Sequence, residues 1–125
     1  MILDTNALSA LAEKQSRILE RLEGARRLAV TLITLGEFSF GILGSRRKNE
    51  LERWLAAFLE RAEVLSPDFG TLPHYARLRA ELKAAGTPIP ANDCWISALA
   101  LQHRMPLLSR DRHFDCVSGV RRIDW

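Results

Sequence analysis

Short apolar runs alternate with longer helix-like segments along the whole chain, and this alternation constrains the fold more than any other feature. It is typical of βαβ units, in which helices cover both faces of a mostly parallel sheet. The predicted strands are residues 1–3, 28–30, 64–65, 107–108 and 121–123. We therefore predict an α/β fold with a mostly parallel central sheet. Because no repeat or linker interrupts the pattern, we expect residues 1–125 to form one domain.

The predicted helices are marked by apolar periodicity and by their end signals. One continuous helix is expected over residues 7–22, and a second over residues 34–43 with Gly44 at its end. The side chains of Asp68 and Asn92 can cap two later helices. These segments lie between the predicted strands, as crossover helices of a parallel sheet do.

One helical segment has a complete amphipathic stripe. Its apolar residues recur at the spacing of a single helix face, and they are Leu51, Trp54, Leu55, Phe58 and Leu59. Packing in the core is the first interpretation of this stripe. Because two of its members are large aromatics, a docking surface for a partner helix is the second.

Composition excludes several classes of protein. The chain has 18 Lys and Arg against 15 Asp and Glu, a net charge of +3, so it lacks the dense positive coat of a histone-like protein. Its two cysteines, Cys94 and Cys116, are too far apart in sequence for a short metal-ligand pair and indicate no disulfide framework. The first residues contain no basic leader, and no apolar run approaches the ~18 residues of a membrane span. We expect a cytoplasmic protein without a membrane segment.

Four acidic residues fall close to predicted junctions between strands and helices. Asp4 directly follows the first strand, and Glu37 lies in the first turn of the helix after the second. Asp93 lies in the first turn of a later helix, and Asp111 follows the strand at 107–108. Because such junctions meet at the carboxyl edge of a parallel sheet, we expect the four carboxylates to share one cleft. An all-oxygen set of this kind suits Mg²⁺ or Mn²⁺.

Each acid also has a purely structural interpretation. Thr34 and Glu37 have the spacing of a capping box, in which the carboxylate only satisfies backbone donors. Asp93 would interact favourably with a helix dipole, and Asp111 suits a turn. Asp4 is harder to explain in this way, because an acid at the end of a buried strand is unfavourable unless it is paired or bound to a metal. The functional interpretation therefore depends on the four acids together.

Four short motifs surround these acids. They are Leu3-Asp4-Thr5-Asn6, Thr34-Leu35-Gly36-Glu37, Asn92-Asp93-Cys94-Trp95 and Ser109-Arg110-Asp111-Arg112. In this order they resemble the motifs of PIN domains over nearly the whole chain, and the small size is similar to that of VapC toxins from toxin–antitoxin pairs. The resemblance implies a PIN-like three-layer sandwich. It also implies an endoribonuclease that depends on Mg²⁺ or Mn²⁺ and hydrolyses phosphodiester bonds through metal-activated water.

The resemblance assigns both catalysis and metal binding to four positions, which are Asp4, Glu37, Asp93 and Asp111. At the fourth position Asp115 lies close enough in sequence to replace Asp111, and we favour Asp111. Asn6 and Ser109 carry polar groups beside the acids that can orient a ligand or a water molecule. The resemblance further implies a protein antitoxin as partner and a homodimer built from helical faces.

An acidic cleft repels RNA, so basic residues must line its rim. The candidates nearest to the predicted junctions are Arg46, Arg47, Lys48, Arg110 and Arg112. Arg112 is the predicted substrate contact among them. His113 is a weaker candidate for catalysis, because hydrolysis by metal-activated water needs no imidazole.

Two other functions are compatible with an α/β fold. A phosphatase of the haloacid-dehalogenase type would use Asp4 as a phosphoryl nucleophile. Such an enzyme needs a second acid two residues later, where this chain has Asn6. A non-catalytic module would instead use its aromatic helix to bind a partner, and retention of all four acids argues against that function.

Overall fold

All five strands pair in parallel within a single sheet. A computed structural model describes residues 1–125. The strands are β1 (Ile2–Leu3), β2 (Ala29–Thr31), β3 (Glu63–Leu65), β4 (Leu107–Leu108) and β5 (Arg122–Ile123). Their order across the sheet is β3-β2-β1-β4-β5. The predicted parallel sheet is therefore confirmed, with β1 at its centre.

Six helices and two 3₁₀ turns connect these strands. The helices are α1 (Thr5–Ala12), α2 (Ser16–Leu22), α3 (Leu32–Leu43), α4 (Lys48–Leu59), α5 (Leu72–Ala85) and α6 (Ala91–His103). The 3₁₀ turns are Phe69–Thr71, which Asp68 caps as predicted, and Arg112–Cys116. None of the helices is long and apolar enough to cross a lipid bilayer.

Helices cover both faces of the sheet, which confirms the three-layer arrangement. Successive side chains of a strand point to opposite faces. Leu3 and Val30 accordingly pack in a core cluster with residues of α1 to α4, whereas Ile2 and Leu107 pack in a second cluster with residues of α6. Helix α5 packs on the outer side of α6. The buried strand residues thus have apolar contacts on both sides.

The single helix predicted over residues 7–22 is wrong, because the chain breaks it at Lys14. This residue adopts the left-handed conformation with a φ of 56°. The amide of Gln15 donates to the carbonyl of Ala10, and the amide of Lys14 donates to that of Leu11. These two bonds form a Schellman motif, which ends α1 without glycine. The apolar periodicity continues through the break, so the sequence pattern could not reveal it.

Helix α3 begins earlier than predicted, and this changes the position of Glu37. Thr31 is the N-cap, and its hydroxyl accepts a hydrogen bond from the amide of Thr34 at 3.0 Å. Thr34 is therefore inside the helix, so the capping box predicted for Thr34 and Glu37 is wrong. Glu37 lies in the second turn of α3 rather than the first. The N-cap of α6 is likewise Pro90 and not Asn92 as predicted.

The direction of connection reverses at β1. From β1 the chain proceeds to β2 and β3 on one side of the sheet, and it returns later to β4 and β5 on the other side. The segments that follow β1 and β4 therefore pack on opposite faces of the sheet. The crevice at such a switch point is where ligands bind in open α/β sheets. Asp4 follows β1 at this point and Ser109 follows β4.

Candidate active site

Asp4 is a buried carboxylate at the crevice between β1 and β4. Its side chain is held at one oxygen, because Asn6 Nδ2 and Ser109 Oγ both donate to Oδ2 at 2.8 Å. Burial raises the pKa of Asp4 to about 6, and the hydrogen bond from Ser109 opposes this shift. The negative charges of Asp93 and Glu37 raise the Asp4 pKa further. Three of the four predicted acids are therefore close enough to interact electrostatically.

A polar network fixes the orientation of Asp4. Asn6 Nδ2 also donates to Ser109 Oγ at 3.2 Å, and Asn6 Oδ1 accepts from the amide of Arg110 at 3.0 Å. Ser109 Oγ accepts in turn from the amide of Asp111 at 3.0 Å. These bonds connect the ends of β1 and β4. Asn6 and Ser109 thus lie beside the acid as the sequence predicts.

Glu37 faces the same region from α3. Its only hydrogen bond to a side chain comes from Thr5 Oγ1, which donates to Oε1 at 3.1 Å. Glu37 lines a cleft of about 260 Å³, and its other walls include Ser9, Ser45 and Arg47. No backbone amide uses the Glu37 carboxylate, so the structural interpretation of this residue as a cap does not apply.

Asp93 and Asp111 meet at the imidazole of His113. His113 Nδ1 lies 3.1 Å from Asp93 Oδ2 and 3.1 Å from Asp111 Oδ1. One ligand atom from each of the three residues lies within 4.8 Å of the others. Burial raises the pKa of Asp93, and the charge of Asp111 adds to this effect, while His113 opposes it.

Asp93 reaches this edge of the sheet differently from the way the sequence suggests. It lies in the first turn of α6, but α6 follows α5 and a loop rather than a strand. Because α6 leads into β4, it runs antiparallel to the strands and brings its amino terminus to their carboxyl edge. The prediction that Asp93 lies at a junction between a strand and a helix is therefore wrong, although its predicted first-turn position is correct.

The donor set fits a hard divalent cation. Carboxylate oxygens are the ligands that Mg²⁺ and Mn²⁺ favour. Burial raises the pKa values of Asp4 and Asp93, and the charges of neighbouring carboxylates raise both pKa values further. A bound cation would relieve both effects.

Asp115 is used elsewhere. Arg122 donates to it twice, at 2.8 Å from Nε and 3.1 Å from Nη2, and the guanidinium holds the pKa of Asp115 below its ordinary value. Arg122 Nη1 also donates to the carbonyl of Ser109 at 3.0 Å. The geometry therefore favours Asp111 over Asp115 as the fourth acid. That assignment stays a prediction about function.

Comparison with known proteins now gives the family. The family described as PIN domain matches residues 1–120. The chain belongs to the PIN domain family. Ribonuclease VapC1 of Haemophilus influenzae (strain R2866) is 30% identical to this PIN domain over 129 residues, which cover 99% of this chain and 96% of that protein. The tRNA(fMet)-specific endonuclease VapC of Salmonella typhimurium is 32% identical over 130 residues, with 99% and 96% covered.

Solved structures have the same fold. The chain superposes on VapBC from Salmonella typhimurium, which was crystallised bound to DNA, with a TM-score of 0.87 and 30% identity over 99% of this chain and 96% of that one. VapBC2 from Rickettsia felis, bound to a DNA fragment from its promoter, gives a TM-score of 0.89 at 25% identity, with 99% and 97% covered.

The predicted basic rim of the PIN domain divides into engaged and free residues. Arg110 stacks over the Trp125 ring at 4.5 Å, Arg47 pairs with Glu50, and Lys48 lies 3.9 Å from Glu52. The two candidates that form neither an ion pair nor a side-chain hydrogen bond are Arg46 and Arg112, and both are exposed. Arg112 directly follows Asp111 and is therefore the free cation adjacent in sequence to the acidic residues.

Three residues at the site have contacts that sequence analysis did not assign. Thr5 is adjacent to Asp4, but nothing in the sequence shows its bond to Glu37. Arg122 lies in an edge strand, and its role in holding Ser109 depends on the pairing of β4 with β5. His113 is two residues from Asp111 in the sequence, whereas its contact with Asp93 depends on the fold.

Proposed function

We propose that this chain is the toxin of a toxin–antitoxin pair and that it cleaves RNA as an endoribonuclease dependent on Mg²⁺ or Mn²⁺. The observation that carries the proposal is the gathering of acids from four distant segments at the crevice of a PIN-domain sheet. Full-length relatives named as ribonucleases and as a tRNA-specific endonuclease support it. Partner complexes among its structural neighbours support the toxin role.

Different side chains would have different roles in phosphodiester hydrolysis. When bound, the divalent ion supplies a water molecule of lowered pKa and neutralises charge on the phosphoryl group. Asp93 and Asp111, whose ligand atoms lie within 4.8 Å of each other, would hold the ion, and Asp4 would contribute from beside them through Oδ1, the oxygen to which Asn6 and Ser109 do not donate.

Glu37 would take the proton from the attacking water. It has a single hydrogen bond, from Thr5, so one of its oxygens is free to accept. Its negative charge also raises the pKa of Asp4, so Glu37 lies within electrostatic range of the proposed metal ligands. The carboxylates therefore supply both the cation cage and the base.

The structure disfavours the two alternative functions. A phosphatase with an aspartyl nucleophile needs a general acid at position 6. Asn6 instead donates to Asp4 and cannot transfer a proton. A purely non-catalytic function does not explain why Asp4 is a buried carboxylate with a raised pKa, a feature that is typical of functional sites.

Replacing Asp93 with asparagine is expected to reduce metal-dependent RNA cleavage by about 100-fold or more, because a lost metal ligand removes several kcal/mol of transition-state stabilisation. Asp111→Asn should have a similar effect. Cleavage of labelled RNA in the presence of Mg²⁺ or Mn²⁺ measures the rates, and circular dichroism checks the fold.

Asp115→Asn is the matched control for these variants. Its carboxylate is exposed and bound to Arg122, so we expect cleavage close to that of the wild type. Full activity of Asp93→Asn would contradict the proposed function. If Asp115→Asn lost activity and Asp111→Asn retained it, Asp115 would be the fourth acid of the site.

Removing the charge of Arg112 is expected to weaken RNA binding and to reduce its salt dependence. If Arg112 contacts one phosphate, the slope of log affinity against log salt concentration should fall by about 1 in Arg112→Ala. Arg26→Ala is the control, because this exposed residue precedes β2 and lies at the opposite edge of the sheet. Binding titrations at several salt concentrations give both slopes. Equal slopes for Arg112→Ala and the wild type would remove Arg112 from the phosphate contacts.

The stripe on α4 supplies a surface for the proposed antitoxin. All five of its residues pack partly against the first core cluster, so the core interpretation holds for their inner sides. Trp54 and Phe58 stack at 5.3 Å and also line an open apolar groove of about 450 Å³ with Leu11, Leu19 and Leu22. A groove of this kind suits the apolar face of a partner helix.

The homodimer has a separate surface available. Helix α3 exposes Leu32, Phe40 and Leu43, with fractional exposures of 53%, 80% and 69%. Exposed apolar rows of this kind usually mark a protein interface. We propose that a second copy of the chain covers them.

A further inference from the structure

We propose that His113 is a direct ligand of the divalent ion and that it makes the site prefer Mn²⁺ to Mg²⁺. This inference rests on the proposed function, because it concerns the same metal site. It adds a nitrogen donor to the four carboxylates that the resemblance to PIN domains implies as metal ligands.

The first argument is the position of the imidazole. His113 Nδ1 lies 3.1 Å from one oxygen of Asp93 and 3.1 Å from one oxygen of Asp111. An octahedral ion with metal–ligand bonds of about 2.1 Å separates neighbouring donor atoms by about 3.0 Å. Nδ1 is therefore spaced from each oxygen as adjacent ligands around one ion are, and the ligand atoms of all three residues lie within 4.8 Å of one another.

The second argument is that the backbone next to the ring is held in place. The amide of His113 donates to Asp111 Oδ1 at 2.9 Å, which fixes the start of the 3₁₀ turn Arg112–Cys116. The next residue, Phe114, is completely buried in the second core cluster. The ring makes polar contacts only with the two carboxylates. Binding of an ion to the Nδ1 lone pair therefore breaks no other hydrogen bond.

The third argument concerns the chemistry of the donors. Mg²⁺ strongly favours oxygen ligands and dehydrates reluctantly, whereas imidazole is a good ligand for first-row transition ions. One nitrogen among carboxylates therefore favours Mn²⁺, which accepts both donor types. A histidine that only oriented Asp93 and Asp111 by hydrogen bonding would affect both ions alike.

Metal binding by the full-length chain tests this inference without relying on RNA cleavage. The variants are His113→Ala and His113→Gln, whose amide can still donate to the two carboxylates. His103→Ala is the control, because His103 lies at the far end of α6, about 15 Å along the helix from Asp93. Calorimetric titration of the metal-free protein gives the Mn²⁺ and Mg²⁺ affinities. Pulsed electron paramagnetic resonance of the Mn²⁺ complex detects a directly coordinated nitrogen.

We expect wild type and His103→Ala to bind Mn²⁺ at least tenfold more tightly than Mg²⁺ and to show nitrogen coupling. Both His113 variants should lose the coupling and 10- to 100-fold of the Mn²⁺ affinity, with Mg²⁺ affinity changed much less. Wild-type Mn²⁺ binding without nitrogen coupling, or full rescue of Mn²⁺ affinity by His113→Gln, would overturn the ligand role and leave the nuclease proposal intact. Failure of the wild type to bind either ion would overturn both.

Discussion

Asp4→Asn is expected to make the metal-free protein more stable by up to about 3 kcal/mol at pH 7, although it removes a proposed metal ligand. Burial raises the pKa of Asp4 from 3.8 to about 6, so at pH 7 the folded protein contains a poorly solvated carboxylate. A difference of about two pKa units corresponds to about 3 kcal/mol. Asparagine keeps an oxygen that can accept from Asn6 and Ser109 while removing the charge.

The pH dependence of this effect has a defined sign. Between pH 3.8 and about 6 the folded chain binds the Asp4 proton more tightly than the unfolded chain does. The wild type therefore loses stability as the pH rises through this window, and the loss is complete above about pH 6. Asp4→Asn should show no such loss. The two proteins should accordingly differ little near pH 4 and most at pH 7.

Urea denaturation in the presence of a chelator measures both effects. Asp115→Asn is the control of opposite sign, because Arg122 lowers the pKa of Asp115 and its ionised form stabilises the fold. Added Mg²⁺ or Mn²⁺ should stabilise the wild type by mass action and should have much less effect on Asp4→Asn. Lower stability of Asp4→Asn than of the wild type at pH 7 would contradict the inferred desolvation of this carboxylate.

Truncation of Phe114 in Phe114→Ala should lower the free energy of unfolding by about 3 to 5 kcal/mol. The ring is fully buried with Ile2, Ile96 and Leu107, so its removal leaves a cavity between α6 and the sheet. Domains of this kind have a free energy of unfolding of about 5–15 kcal/mol, so the loss is a large fraction of the total. The melting temperature should fall by roughly 10 to 20 °C.

Phe69→Ala is the matched control for this truncation, because the Phe69 side chain is 92% exposed. We expect its free energy of unfolding to change by less than about 0.5 kcal/mol. Thermal and urea denaturation of the two variants compare the same chemical change at a buried and an exposed position. Similar losses in both would show that burial of Phe114 does not determine its contribution.

The strands could be predicted well because apolar pairs such as Leu107 and Leu108 are buried on both faces of a parallel sheet. The helix ends were less predictable. Lys14 adopts a left-handed conformation that composition does not favour, and it leaves the apolar period of the flanking helices unchanged. Thr31 serves at once as the last residue of β2 and the cap of α3, so no loop signals the boundary. Local signals therefore place the elements better than they place their ends.

The acidic site was predictable to the extent that it follows from topology. Asp4 and Asp111 follow parallel strands, so both had to lie at one edge of the sheet. The hydrogen bond between Asp4 and Ser109 joins residues 105 positions apart and exists only because β1 and β4 are neighbours. Strand order is not encoded in any local pattern. The contact of His113 with Asp93 depends in the same way on how α6 enters the sheet edge.

The central position of β1 has a consequence for folding during translation. β1 pairs on one side with β2, which is made early, and on the other with β4, whose register joins Ile2 to Leu107. Until α6 has been synthesised, the nascent chain contains Asp4 and Glu37 but neither Asp93 nor Asp111. Such long-range parallel pairing closes slowly. The complete acidic site therefore forms only after β4 and Asp111 have been synthesised and β4 has paired with β1.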